Sequence, residues 1–143
     1  MTTKQIEIVK RTWNIVASLD AVVVGALFYS RLFEIAPEVK HMFRNSTESQ
    51  SKKLISMIAY VIHKLDKLND IIDEVGKLAK RHVHYGVEPT HYLVVGNALI
   101  WTLEKGLDTQ WNEEVREAWV KCYTTLSNAM IEAAYQIPLA EVA

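Results

Sequence analysis

Cysteine is almost missing from this chain: one residue, Cys122, in 143. No internal disulfide can form, and the expected compartment is the reducing cytoplasm. Proline is nearly as scarce. The three prolines, Pro37, Pro89 and Pro138, fall where helices should start or end, since proline lacks the amide that a helix interior needs. Neither sign of charge dominates, with 16 Lys and Arg against 17 Asp and Glu and a net charge of −1. With no basic run to neutralise phosphates, nucleic-acid binding gains no support. Long apolar runs are lacking too: the densest, Ala21–Phe28, is far short of the roughly 20 residues of a membrane span. Met1–Lys10 is polar and charged and does not read as a signal peptide. Strand signals reduce to Val22–Val24, which sits inside a helical pattern.

What remains is a chain half hydrophobic and 23 % charged, a composition that builds a core. A single domain over residues 1–143 is expected. Periodicity predicts helices at about 3–18, 20–36, 47–67, 70–84, 90–105 and 110–135, with a short helical turn after Pro37. Thr2 with Gln5 and Thr47 with Gln50 have capping-box spacing. Gly86 and Gly106 stand where left-handed helix ends are expected. Leu54, Met57, Ile58, Val61, Leu65 and Leu68 form one stripe; Val115, Ala118, Trp119, Cys122, Tyr123, Leu126, Ala129 and Met130 form another. The fifth helix is apolar around more of its circumference (Leu93, Val94, Val95, Leu99, Ile100, Leu103), which predicts a central position. The fold class is all-α.

His82 is the position that points to chemistry. It continues the stripe Ile71, Val75, Leu78, Ala79, where leucine would be ordinary. A buried ring nitrogen without a partner costs about 1–3 kcal/mol. The partner can be a backbone carbonyl, the commoner case, or a metal. His84 lies about 200° around the same helix and His63 about 180° from Leu54, both outward. No inward pair has i, i+4 spacing, which argues against a zinc site. A site with one protein ligand remains, and haem is the common cofactor of that kind. Gln50, on the face of Leu54, either completes a capping box or donates into a cavity. Tyr29 shares a stripe with Val22, Ala26 and Phe33, and is either core or a buried donor. Phe43 plugs the core after the Pro37 turn. Lys53 is solvated or reaches a carboxylate at a cofactor's edge. Cys122 reads as a packed thiol. No inward His–carboxylate pair and no glycine-rich phosphate loop is present.

These residues carry a resemblance over nearly the whole chain. Leu27-Phe28-Tyr29-Ser30-Arg31-Leu32-Phe33, Pro37-Glu38-Val39-Lys40-His41-Met42-Phe43 and Gln50-Ser51-Lys52-Lys53-Leu54 come first. Lys80-Arg81-His82-Val83-His84-Tyr85-Gly86-Val87, His91-Tyr92, Val95-Gly96, Ala118-Trp119 and Tyr123 follow. In that order and spacing the chain resembles a globin, in particular the bacterial single-domain haemoglobins of the Vitreoscilla and flavohaemoglobin type, and the neuroglobins.

The resemblance implies a globin fold, three helices on three, around haem b (iron protoporphyrin IX). It implies that His82 is the proximal iron ligand, its other ring nitrogen oriented by a carbonyl one turn earlier, that of Leu78. Phe43 would pack on the porphyrin. Tyr29 and Gln50 would form the distal hydrogen-bonding pair, with Leu54 as an apolar wall. Lys53 and Arg81 would be propionate contacts, and Val87 and Tyr92 would also lie at the cofactor. Many relatives have histidine where Gln50 stands, so bis-histidine ligation through that position is not expected. The flavohaemoglobin pattern pairs a tyrosine, matched by Tyr92, with a glutamate. That place holds Ala134, with Glu132 close by, which weakens the case for peroxidase-like activation. Ending at Ala143, the chain is expected to carry no flavin-binding reductase domain. The implied function is reversible O2 binding with slow release, and CO and NO as further ligands. The rival is a nitric oxide dioxygenase served by a separate reductase; a sensor would want an output domain. A monomer or weak homodimer is expected, with no membrane or nucleic-acid partner.

Overall fold

Local signals set where the helices begin. The structure, a computed structural model, describes residues 1–43, 46–67, 72–84 and 88–135. Helix α1, Thr3–Ala17, starts at a reciprocal capping box. The Gln5 amide donates to Thr2 Oγ1 at 3.1 Å, and the Thr2 amide donates to Gln5 Oε1 at 3.0 Å. Helix α2, Ala21–Ile35, is capped by Asp20, whose carboxylate accepts from the Val22 amide at 2.8 Å. It stops before Pro37, which opens a 3₁₀ helix over Pro37–Met42. Helices α3, Thr47–His63, α4, Ile72–His84, α5, His91–Leu107, and α6, Glu113–Tyr135, follow, with a short 3₁₀ turn at Asp108–Gln110 between the last two. No strand occurs among the described residues. No single helix among them is long and apolar enough to cross a membrane.

Two expected helix ends move. Ser46, not Thr47, caps α3: its hydroxyl accepts from the Ser49 amide at 3.2 Å. Two adjacent hydroxyl residues offer two cap registers, and the earlier one wins. Gln50 therefore sits one residue beyond the capping-box position, and its side chain is not used by the cap. Gly106 lies inside α5, and the positive φ belongs to Asp108, at 47°. With ψ at −112° this lies outside the left-handed α basin that aspartate tolerates, so the backbone is strained there. Gly86 lies outside the described residues.

Packing follows the stripes. α1 lies on α6 and α3, α2 on α3 and α5, and α4 on α6. Ile8, Val9, Trp13, Val16, Leu103, Val115, Ala118, Trp119 and Cys122 form the main core. Thr12 is wholly buried there, donating to the Ile8 carbonyl at 2.7 Å and accepting from Trp119 Nε1 at 2.9 Å. Burial pushes the Cys122 thiol up to about 12, in keeping with a packed group and not a nucleophile. On α5, Leu103 is buried but Leu93 is 70 % exposed, so the helix is less enclosed near its start than its composition predicts.

The α2–α3 crossing is the tightest point. A Cβ on Gly25 would lie 2.7 Å from Ser51 Cα, against backbone that cannot turn aside. Gly25→Ala is expected to cost about 1–3 kcal/mol in urea unfolding by overpacking. An unchanged midpoint would mean that the helices part freely there.

Candidate cofactor site

The crossing brings Tyr29 of α2 beside the start of α3. Tyr29 is buried and held in an aromatic set: Phe33 stacks on it at 6.0 Å, and Phe43 meets it edge-on at 5.2 Å. Phe33 and Phe43 also touch, at 5.5 Å. Leu54 of α3 and Val94 and Val95 of α5 pack on the same cluster, each partly buried. The Tyr29 hydroxyl donates to the Gln50 main-chain carbonyl at 3.4 Å, long for an O–H···O bond. The Tyr29 hydroxyl thus meets the Gln50 backbone, and among the described residues no hydrogen bond engages the Gln50 side chain. Burial alone raises the Tyr29 pKa to about 12, so the hydroxyl keeps its proton near neutrality.

A separate apolar cluster holds α4. Val75 and Ala79 are buried against Met130 of α6 and Tyr92 of α5, with Leu78 and Leu126 partly buried beside them. On this face His82 is half-buried, and its Nδ1 lies 2.8 Å from the Leu78 carbonyl. A carbonyl only accepts, so Nδ1 carries the proton and Nε2 keeps a lone pair for a ligand. Two other histidines make informative contrasts. His91 Nδ1 accepts from the Glu88 amide at 2.9 Å, the opposite tautomer. His41 Nδ1 donates to the Glu38 carbonyl at 2.7 Å, but its side chain is exposed. His63 is exposed, as expected, and the side chain of His84 lies outside the described set. Among the described residues no three His, Cys, Asp or Glu side chains gather as a metal site.

The other expected residues fall into three groups. Tyr92 is buried in the α4–α6 cluster, and its carbonyl accepts from the Tyr123 hydroxyl at 2.6 Å. Gly96 makes that approach possible, since a Cβ there would meet the Tyr123 ring at 2.6 Å. Lys53 and Arg81 are exposed. Lys53 lines an open groove of about 520 Å³ along α3 with Lys52, Ser56, Met57 and Tyr60. Val87 lies outside the described residues, as does the Ala134 side chain; Glu132 is exposed. Phe33, placed on the Tyr29 stripe by its i+4 spacing but not named as a site residue, is a wall of that cluster. Met57, expected in the core, is 38 % exposed, because the α3 stripe turns there from protein neighbours to the groove.

By their chemistry these residues fit haem: His82 would hold it through Nε2, the Tyr29 hydroxyl is a buried donor, and Leu54, Met57 and Phe43 are part-exposed apolar groups.

The globin family profile matches residues 26–130 of the chain. The chain belongs to the globin family. A globin fold follows, and the bacterial globin of Campylobacter jejuni shares it: TM-score 0.81 and 27 % identity over 93 % of this chain and 96 % of that one. The Vibrio cholerae flavohemoprotein is 30 % identical over 135 residues, 92 % of this globin but 34 % of the relative. Neuroglobin-1 of Oncorhynchus mykiss is 27 % identical over 144 residues, covering 91 % of this globin and 90 % of its own length. The chain thus spans about a third of the length of the flavohemoproteins it matches.

Proposed function

We propose that this globin binds haem b through His82 Nε2 and takes up O2 reversibly under the Tyr29 hydroxyl. Haem supplies a ferrous iron that accepts O2, CO or NO. The chain's own residues do the rest. The Leu78 carbonyl fixes the His82 ring in the ligating tautomer, the single observation that carries the reading. Phe43 and Leu54 would wall the cofactor, and Lys53 and Arg81, both exposed, would meet its propionates. Tyr29 keeps its proton and would donate it to a bound ligand that gains negative charge, and the Gln50 amide would be a second donor.

The relation to flavohemoproteins favours a second reading, nitric oxide dioxygenase activity served by a separate reductase. The same pocket serves both, and turnover separates them. The test is an absorption series on the purified protein: as isolated, reduced with dithionite, then exposed to air with reductant removed. Expected are a strong Soret band, a five-coordinate reduced spectrum and a long-lived oxygenated form. Rapid NO-dependent conversion to the ferric form, recycled by a lysate, would favour the dioxygenase. No Soret band after hemin is added would end both readings.

A further inference from the structure

Helices α3 and α4 carry the two walls of the site, yet their main packing is elsewhere: α3 lies on α2 and α1, and α4 on α6. One side-chain hydrogen bond joins them among the described residues. The Tyr60 hydroxyl, about three turns along α3 from Gln50, donates to Glu74 Oε2 at 3.0 Å, in the first turn of α4. Tyr60 also borders the groove that runs along α3 past Lys52, Lys53 and Met57. The bond therefore ties α3 to the first turn of α4 beside that groove. Glu74 holds the Tyr60 proton in place, raising its pKa through that hydrogen bond.

We infer that the Tyr60–Glu74 bond is a latch across one end of the haem slot, and that it slows haem loss by keeping α3 and α4 together. This rests on the haem reading proposed above. For haem to leave, the two walls must part, and a bond that breaks in the parting raises the exit barrier without touching the cofactor. Tyr60 is thus a positioning residue. Both groups are exposed, so water competes for the bond and the effect is modest.

The test is the rate of hemin transfer from the holoprotein to excess acceptor apoglobin. Tyr60→Phe removes only the hydroxyl and is expected to speed transfer by about two- to fivefold. Glu74→Gln keeps an acceptor and is expected to stay near wild type, while Glu74→Ala matches Tyr60→Phe. The double variant Tyr60→Phe/Glu74→Ala is expected to be no faster than either single one. The apoprotein Tm should shift by less than about 2 °C in each. Equal transfer rates for Tyr60→Phe and wild type would overturn the latch and leave the haem reading intact. So would a Glu74→Gln rate as high as that of Glu74→Ala, which would make charge the cause. A Tm loss parallel to the rate change would overturn it too, as a fold-wide effect. A wild-type protein that takes up no hemin would overturn both readings.

Discussion

Oxygen is expected to leave the Tyr29→Phe holoprotein about ten- to a hundredfold faster than the wild type. The substitution keeps the ring, and the ring is what packs: Phe33 and Phe43 hold it on two sides, so the pocket's shape survives. Only the donor is lost. A hydrogen bond to a partner that gains negative charge is worth roughly 1.5–3 kcal/mol, which sets that range in rate. The hydroxyl is free to act, because its present bond to the Gln50 carbonyl is long, at 3.4 Å. CO gains less charge on binding, so its release should change far less; measuring both ligands separates the lost donor from a loosened pocket. The pH profile follows from the raised pKa, about 12. Oxygen release stays slow and flat through the neutral range, then quickens only as rising pH removes the tyrosine proton. Laser photolysis with stopped-flow displacement checks all three points, and an unchanged oxygen off-rate in Tyr29→Phe would sink the donor role.

Periodicity reached the helices and the inward histidine because both are local properties. An apolar stripe repeats within one helix, and His82 stood out by breaking it. Partners far apart in the chain left no such trace. Thr12 and Trp119 pair across 107 residues, and Tyr60 finds Glu74 on another helix. Neither half of those pairs looks unusual alone. Local signals also failed where two readings were equally good: Ser46 and Thr47 are both competent caps, and Asp108 replaced the expected glycine at the helix end. Tyr29 and Gln50 were expected as two side-chain donors toward a bound ligand; a residue pattern does not say that the Tyr29 hydroxyl also reaches the Gln50 backbone carbonyl. Met57 and Leu93 belong to apolar stripes that outrun the protein available to cover them. For Met57 the groove supplies a reason; for Leu93 the described residues supply none.

Replacing His82 by glycine should be the most damaging single change to the site, and the most diagnostic. It removes the imidazole whose Nδ1 is bound to the Leu78 carbonyl, and with it a half-buried ring on α4 set to offer Nε2. Loss of an orienting partner alone typically costs a metal site about ten- to a hundredfold, so loss of the ligand should exceed a hundredfold in haem retention. The surrounding wall should survive, since Val75, Ala79, Tyr92 and Met130 pack without the ring. The space left is then the size of an imidazole, with the Leu78 carbonyl still in place to accept from an added one. Free imidazole should therefore restore a five-coordinate reduced spectrum to His82→Gly while doing little to the wild type. His91 cannot substitute, because its Nδ1 accepts from the Glu88 amide and its other nitrogen carries the proton. His41 offers the right tautomer, but from an exposed position on the 3₁₀ helix that starts at Pro37. Hemin titration followed by Soret absorbance, with and without imidazole, decides the matter. A His82→Gly protein that keeps its haem with an unaltered spectrum would move the ligand elsewhere and undo the assignment of the proximal side.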